Sequence, residues 1–146
     1  LLLEHVQDPG NVGTLIRTAA AFNYSGVLLS SQCADPFSPK VVQSSAGAIL
    51  SVWIRRSDSY LQMASQLKAD GLMILAADVH GQQNLGITDR GHVLALGNEG
   101  AGLSSELLDL SDYSFRIPFN SKKVESLNVA VSGAIAMFCM KTGVGW

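Results

Sequence analysis

The stretch that decides how this sequence folds is Gly97-Asn98-Glu99-Gly100-Ala101-Gly102. It follows an apolar run over residues 92–96, which is typical of a buried strand, and it precedes a helical pattern that begins near Ser104. Three glycines in six residues allow positive φ angles and a close approach of the backbone to a ligand. In α/β proteins, ligands bind beyond the carboxyl ends of the strands. Taken alone, the stretch fits a tight turn or a ligand loop, because it matches neither the dinucleotide fingerprint nor the P-loop.

A second informative segment lies near the start of the chain and reads DPGNVGTLIRTAA over residues 8–20. Asp-Pro-Gly predicts a turn, because proline sets φ and glycine takes the left-handed conformation. Asn11 then suits the N-cap of a helix that extends to about Phe22. Arg17 lies on this helix with no acidic residue three or four positions away, which fits a solvated surface arginine as well as a functional one. The apolar face of the helix is predicted to consist of Val12, Leu15, Ile16 and Ala19.

The third segment, VESLNVAVSGA over residues 124–134, lies near the end of the chain. Ser126 and Asn128 can cap a helix that runs to about Lys141. Apolar residues follow one another on all sides of this helix, which predicts burial on all sides. In a domain of this size, we therefore expect the helix to lie between the sheet and a second subunit.

The composition indicates one globular domain. The chain has 146 residues, of which 47% are hydrophobic and 15% are charged, enough for a single sizeable core. The longest apolar stretch, residues 129–140, is too short to span a membrane. Cys33 and Cys139 could pair, although free thiols in a reducing compartment are the preferred interpretation. The cysteines and histidines show no zinc-ligand spacing.

The formal net charge of −2 argues mildly against nucleic acid as a partner, because phosphate contacts need lysine and arginine. A local basic patch is nevertheless available, and a dimer would double it. The residues that could form it are Arg17, Lys40, Arg55, Arg56, Lys122 and Lys123.

Strand-like and helix-like segments alternate along the whole chain. We predict strands over residues 1–6, 26–29, 51–54, 72–76, 92–96 and 113–117, and helices over residues 11–22, 39–45, 58–69, 104–110 and 128–141. This alternation predicts an α/β fold with a parallel sheet flanked by helices on both faces. The longest predicted loop, residues 78–90, contains Gly81 and Gly86, and we expect it to be mobile and near the mouth of a site.

Together, the three segments resemble the motifs of the SpoU family of RNA ribose 2′-O-methyltransferases, part of the SPOUT superfamily. The first motif is similar to DPGNVGTLIRTAAAF, the second to LALGNEGAGLSSELL and the third to IPFNSKKVESLNVAVSGAIAMF. The resemblance implies a deep C-terminal trefoil knot, which general topology disfavours, with the third segment threaded through the loop that contains the second. One departure is the loop over residues 118–123, which lacks the family's Pro-Met and glycine and is about one residue longer.

The resemblance also implies S-adenosylmethionine as the cofactor and no metal. Recognition would come mainly from the backbone, which explains why glycine and other small residues dominate the motif loops. The implied cofactor-binding residues are Leu96, Gly97, Asn98, Gly100, Ile117, Phe119, Ser126 and Leu127.

The implied catalytic residues are Arg17, Asn11, Glu99, Ser126 and Asn128, and the implied RNA contacts are Arg17, Lys122 and Lys123. Asn11 would orient Arg17 or the ribose, and Glu99 would fix the motif loops by accepting hydrogen bonds from the backbone or from an arginine. Ser126 and Asn128 would position the third segment. A guanidinium offers only donors. Arg17 could therefore act as a base only if its pocket kept it neutral, or it could stay charged and stabilise a developing alkoxide. We favour the charged form. For Lys122 and Lys123, a solvated loop is as good an interpretation as an RNA contact.

Two hypotheses about function follow from different classes. The first is a cytoplasmic enzyme, a homodimer through its last helix, that methylates a 2′-hydroxyl of ribosomal or transfer RNA. The second is a catalytically silent knotted module for RNA binding or ribosome assembly. Because the chain opens in an apolar strand without an initiator methionine, we expect residues 1–146 to be a catalytic domain that an upstream RNA-binding domain could precede.

Overall fold

The predicted alternation of strands and helices builds a parallel sheet in the computed structural model, which describes residues 1–85 and 90–146. Within these residues, six strands lie in the order β3-β2-β1-β5-β4-β6, and every neighbouring pair is parallel. The strands are β1 Leu2–Leu3, β2 Gly26–Ser30, β3 Trp53–Ser57, β4 Met73–Gln82, β5 His92–Leu96 and β6 Tyr113–Phe115. The helices are α1 Pro9–Ala21, α2 Pro39–Ser44, α3 Tyr60–Ala69, α4 Ser105–Leu110 and α5 Val129–Thr142, with a 3-10 turn at Ala48–Leu50.

Helices cover both faces of the sheet, as the sequence predicts. The central strands are apolar at successive positions because both of their faces are buried. In β1, Leu3 belongs to a core cluster that includes residues of α1, α2 and α5, whereas Leu2 belongs to a second cluster with residues of α3 and α4. In the described ranges, no helix is both long enough and apolar enough to cross a membrane. Cys33 and Cys139 are buried free thiols, which agrees with the interpretation of the sequence that they do not pair.

The start of α1 corrects one prediction from the sequence. Asp8 is the N-cap, and its carboxylate oxygen accepts a hydrogen bond from the backbone N–H of Asn11 at 2.8 Å. The helix begins earlier than predicted because Pro9 is well suited to the first helical position. Asn11 therefore lies inside the first turn, and its side chain is available for tertiary contacts.

The prediction of a loop over residues 78–90 is wrong for residues 78–82, which belong to β4. β4 continues to Gln82, where a register shift lets it pair with Phe115 of β6. Gly81 allows this pairing, because a Cβ atom there would lie 2.6 Å from the Phe115 backbone. Gly86, the second glycine of the predicted loop, and residues 87–89 lie outside the described residues.

The last helix, α5, packs closely on α1 and β5. A Cβ atom at Gly133 would lie 2.4 Å from Leu15 Cδ2 and 2.7 Å from Leu96 Cδ1, so glycine is required for this approach. Asn128 caps the helix as predicted, and its Oδ1 accepts the N–H groups of two following residues. Burial within one chain is incomplete, since Val131 and Phe138 remain 50% and 49% exposed.

Candidate functional site

A cleft of about 450 Å³ opens at the carboxyl ends of β4, β5 and β6. Its volume lies in the usual range for small-molecule sites. Four stretches contribute to its wall: residues 77–80, 96–103, 115–119 and 125–127, joined by the first turn of α5. The wall includes all eight residues for which the motifs imply cofactor binding, namely Leu96, Gly97, Asn98, Gly100, Ile117, Phe119, Ser126 and Leu127.

The glycine loop, residues 97–102, is closed on itself. The backbone N–H and carbonyl of Asn98 pair with those of Gly102 at 3.0 and 2.9 Å. The side-chain Oδ1 of Asn98 also accepts the N–H groups of Gly100 and Ala101, each at 2.9 Å. A Cβ atom at Gly97 would lie 2.3 Å from the Gly102 carbonyl carbon, and Gly102 adopts a φ of 73°. Glycine at these two positions therefore makes the compact loop possible.

Three polar residues from the three motifs meet beside the cleft. Asn11 Nδ2 donates to Glu99 Oε1 at 2.9 Å, and Asn128 Nδ2 donates to Asn11 Oδ1 at 3.1 Å. A carboxylate only accepts hydrogen bonds, so it orients the Asn11 amide, which in turn orients that of Asn128. This chain, the Asn11 network, links the start of α1, the glycine loop and the cap of α5. The partner of Glu99 in this network is the Asn11 side chain, whereas a backbone group or an arginine is expected from the sequence.

The structure separates Arg17 from the cleft. Its side chain is exposed on α1, does not line the cleft, and has no hydrogen bond or ion pair with any described residue. Ser126 and Glu99 do line the cleft, while Asn11 and Asn128 are outside its lining and contact Glu99 through the network.

Lys122 and Lys123 lie in an exposed turn outside the cleft lining. Asn120 organises this turn, because its side-chain oxygen accepts the Lys122 N–H and its carbonyl accepts the Lys123 N–H. The two lysines are therefore presented to solvent next to the stretch that contributes Phe119 and Ser126 to the cleft.

The cleft has a negative character that sequence reasoning did not predict. Its lining includes the carboxylates of Asp78, Glu99 and Glu125 against one guanidinium, that of Arg116. Such an arrangement favours a cationic ligand, although solvent screens exposed charges.

Sequence reasoning also missed Glu4, the first charged residue of the chain. It is fully buried (0% exposed), and its carboxylate accepts hydrogen bonds from Tyr60 Oη at 2.5 Å, Ser104 N at 2.6 Å and Ser104 Oγ at 2.7 Å. Burial of the Tyr60 hydroxyl raises its pKa, and the hydrogen bond to Glu4 and the negative charge of Glu4 raise it further. The signal was present, because a single acidic residue interrupts the apolar run at residues 1–6.

Comparison with known sequences gives matches over more than nine-tenths of the chain. The model of the SpoU rRNA Methylase family matches residues 1–138. An uncharacterized tRNA/rRNA methyltransferase of Synechocystis is 39% identical over 140 residues, which cover 94% of this chain and 51% of the relative. The 23S rRNA (guanosine(2553)-2′-O)-methyltransferase RlmP of Bacillus subtilis is 35% identical over 145 residues, covering 97% and 57%. The chain thus spans about half the length of these curated relatives.

Two solved methyltransferase structures are similar to this chain over nearly its full length. The AdoMet-bound rRNA methyltransferase from Sinorhizobium meliloti superposes with a TM-score of 0.88 at 32% identity, covering 98% of this chain and 55% of that chain. The SpoU methyltransferase AviRb from Streptomyces viridochromogenes, in complex with AdoMet, superposes with a TM-score of 0.87 at 29% identity, covering 97% and 58%. The α/β arrangement described above is therefore shared with both of these structures.

Proposed function

Because the chain belongs to the SpoU rRNA methylase family, we propose that it transfers a methyl group from S-adenosylmethionine to a ribose 2′-hydroxyl of ribosomal or transfer RNA. The observation that carries this proposal is the cleft at the carboxyl ends of β4, β5 and β6, which all eight implied cofactor residues line. The relative RlmP is a 23S rRNA 2′-O-methyltransferase, which supports the choice of the ribose hydroxyl as acceptor.

The cleft suits S-adenosylmethionine in its size, its walls and its charge. The glycine loop brings its backbone to the cleft wall, while Leu96, Ile117 and Leu127 provide apolar surface. The three lining carboxylates suit a cofactor that carries a sulfonium and an ammonium group. When bound, the cofactor would supply a methyl group on a positively charged sulfur. The residues present therefore fit it.

We propose that Arg17 acts as a charged group that stabilises the negative charge developing on the ribose oxygen. The Arg17 side chain is exposed on α1, where its guanidinium offers several donors to a substrate. The acceptor ribose would lie between the cleft and this face of α1, and its proton would leave through phosphate or water. The Asn11 network would hold α1 in register with the glycine loop, and Lys122 and Lys123 would contact the RNA backbone.

We also propose that residues 1–146 form a catalytic domain whose C-terminal part is knotted. The path of the chain supports the knot, because it runs from β6 at the edge of the sheet back to α5, which contacts α1 and β5 near the middle. On the way, residues 125–127 line the same cleft as the glycine loop. We further propose that the protein acts in the cytoplasm, where these RNAs are made and modified.

The first expected result is that the purified protein binds S-adenosylmethionine, or its demethylated product, without added metal. In the described part of the chain, no three metal-binding side chains are grouped closely enough to hold an ion. The cleft is instead lined by groups that suit an organic ligand. Titration calorimetry in the presence of a chelator measures this. Neither heat nor competition at millimolar cofactor would contradict the proposal, and RNA binding without cofactor binding would favour the silent module.

We propose that the protein is a homodimer through α5. Val131 and Phe138 are seven residues apart, so they lie on one exposed apolar face of the helix. Phe138 also packs edge-on against Phe22 of α1, with ring centroids 6.3 Å apart, which extends the apolar surface onto a second helix. Met137, in contrast, is 0% exposed and belongs to the core of a single chain, so it does not belong to the proposed interface.

Phe138→Glu is accordingly expected to convert a dimer into a folded monomer, because it places a charge in the proposed interface. Val42→Glu is the matched control, since Val42 is an exposed apolar residue on α2, and it should leave the dimer intact. Light scattering gives the mass of each variant. A wild-type protein that is a stable monomer at micromolar concentration would rule out the dimer.

A further inference from the structure

We propose that Glu4 is a positioning residue that holds the glycine loop in its binding conformation, an inference that rests on the proposed function. Glu4 lies at the carboxyl end of β1, and it does not line the cleft. Its action on the cofactor would therefore pass through Ser104, the residue that caps α4 and ends the segment that follows the glycine loop.

Glu4 is bound to this segment by two hydrogen bonds. Its Oε2 accepts the backbone N–H of Ser104 at 2.6 Å, and its Oε1 accepts the Ser104 hydroxyl at 2.7 Å. The Ser104 Oγ in turn accepts the Leu107 N–H at 3.2 Å, which caps α4. Hydrogen bonds to an ionised group are short and strong compared with neutral ones. The carboxylate therefore fixes both the backbone and the side chain of Ser104.

The next residue, His5, holds the other end of the glycine loop. The carbonyl oxygen of His5 accepts a hydrogen bond from Asn98 Nδ2 at 3.0 Å, and Asn98 closes the loop through its bridge to Gly102. His5 has a φ of 57°, a conformation that non-glycine residues rarely adopt and that persists only where the surroundings enforce it. Glu4 and His5, the two residues that follow β1, thus clamp the glycine loop at its start and just beyond its end.

A carboxylate is specifically suited to this position. All three groups that contact Glu4 act as donors: the Ser104 N–H, the Ser104 hydroxyl and the Tyr60 hydroxyl. A glutamine amide of the same shape would direct N–H donors at one or more of them, and it would leave a buried donor unsatisfied. These three donors compensate the buried charge of Glu4. Without the carboxylate they would lose their shared acceptor, so we expect its removal to destabilise this part of the structure.

The test compares Glu4→Gln with Tyr60→Phe. Both change the hydrogen bonds at Glu4, but Tyr60→Phe leaves both Glu4–Ser104 hydrogen bonds in place and keeps the ring that packs edge-on against His5. Glu4→Gln is expected to weaken the affinity for S-adenosylmethionine about tenfold, which corresponds to about 1.4 kcal/mol. Tyr60→Phe is expected to lower the melting temperature while affinity stays within about twofold. Ser104→Ala removes one of the two hydrogen bonds between Glu4 and Ser104, and we expect a smaller loss of affinity for this variant.

Amide hydrogen exchange of the cofactor-free protein gives a second readout. In Glu4→Gln, the N–H groups of Asn98 and Gly102 should exchange about tenfold faster than in the wild-type protein, and in Tyr60→Phe they should not. If both variants weaken binding and speed exchange in proportion to their loss of melting temperature, Glu4 is only structural and the inference is overturned. If the wild-type protein binds no cofactor, the proposed function fails, whereas the exchange comparison still decides the role of Glu4. Should Glu4→Gln not fold, Ser104→Ala decides by the same criteria.

Discussion

Arg17→Ala is expected to lower the rate of methyl transfer by roughly 10²–10³, because the reaction loses a preorganised charge that stabilises the developing alkoxide. Cofactor affinity is expected to stay within a few-fold, since Arg17 lies on α1, outside the lining of the cleft. Single-turnover kinetics with the full-length enzyme and its RNA measure the first quantity, and calorimetry measures the second. A map of ribose methylation in total RNA, with and without the gene, would identify that RNA.

Arg17→Lys distinguishes the two roles that the sequence leaves open. If a fixed positive charge is what matters, lysine should retain measurable activity, although it lacks the planar fork of arginine. If a neutral guanidine is the base, a lysine in the same pocket could lose its proton, and activity should rise steeply with pH. A wild-type rate for Arg17→Ala would remove Arg17 from the mechanism altogether.

Gly97→Ala is expected to weaken cofactor binding about 10- to 100-fold. The added Cβ atom would lie 2.3 Å from the Gly102 carbonyl carbon and 2.4 Å from its oxygen. Both are backbone atoms, so the glycine loop must open to make room. An overpacked methyl group costs about 1–3 kcal/mol, and each 1.4 kcal/mol corresponds to a factor of about ten in affinity. Calorimetry with S-adenosylmethionine measures the loss.

Gly100→Ala is the matched control within the same loop. A Cβ atom there would meet only Asn98 Oδ1 at 3.5 Å, an ordinary contact. We therefore expect a change of only a few-fold, together with an unchanged melting temperature. If the two alanine variants bind equally well, the close approach of Gly97 to Gly102 does not matter for binding.

Most of the candidate site could be predicted from the resemblance of three sequence segments to the family's motifs. The glycine loop follows β5 directly, and the segments after β6 and before α5 are adjacent to it at the carboxyl edge of the sheet. Because parallel strands bring their carboxyl ends to one edge, motifs that follow such strands meet there. The eight residues implied by the motifs line one cleft for this reason.

The contacts between the motifs were less predictable. Asn11 was expected to cap α1, but Asp8 does so, and the Asn11 side chain instead joins Glu99 to Asn128. The end of β4 was expected to be a loop, although pairing with β6 extends it to Gln82. The first outcome is local, because Asp8 and Pro9 form the start of α1. In the second, a tertiary contact outweighs a local preference that is weak by itself.

The sequence by itself determined the order of strands and helices, the parallel sheet and the identity of the motif loops, because periodicity, glycine and capping residues act over a few neighbours. Only the tertiary structure decided that Glu4 is buried against Ser104, that Met137 belongs to the core while Phe138 is exposed, and that Arg17 lies outside the cleft. These outcomes depend on which residues, far apart along the chain, become neighbours in space. Burial and hydrogen bonding are properties of that arrangement, and no local pattern encodes them.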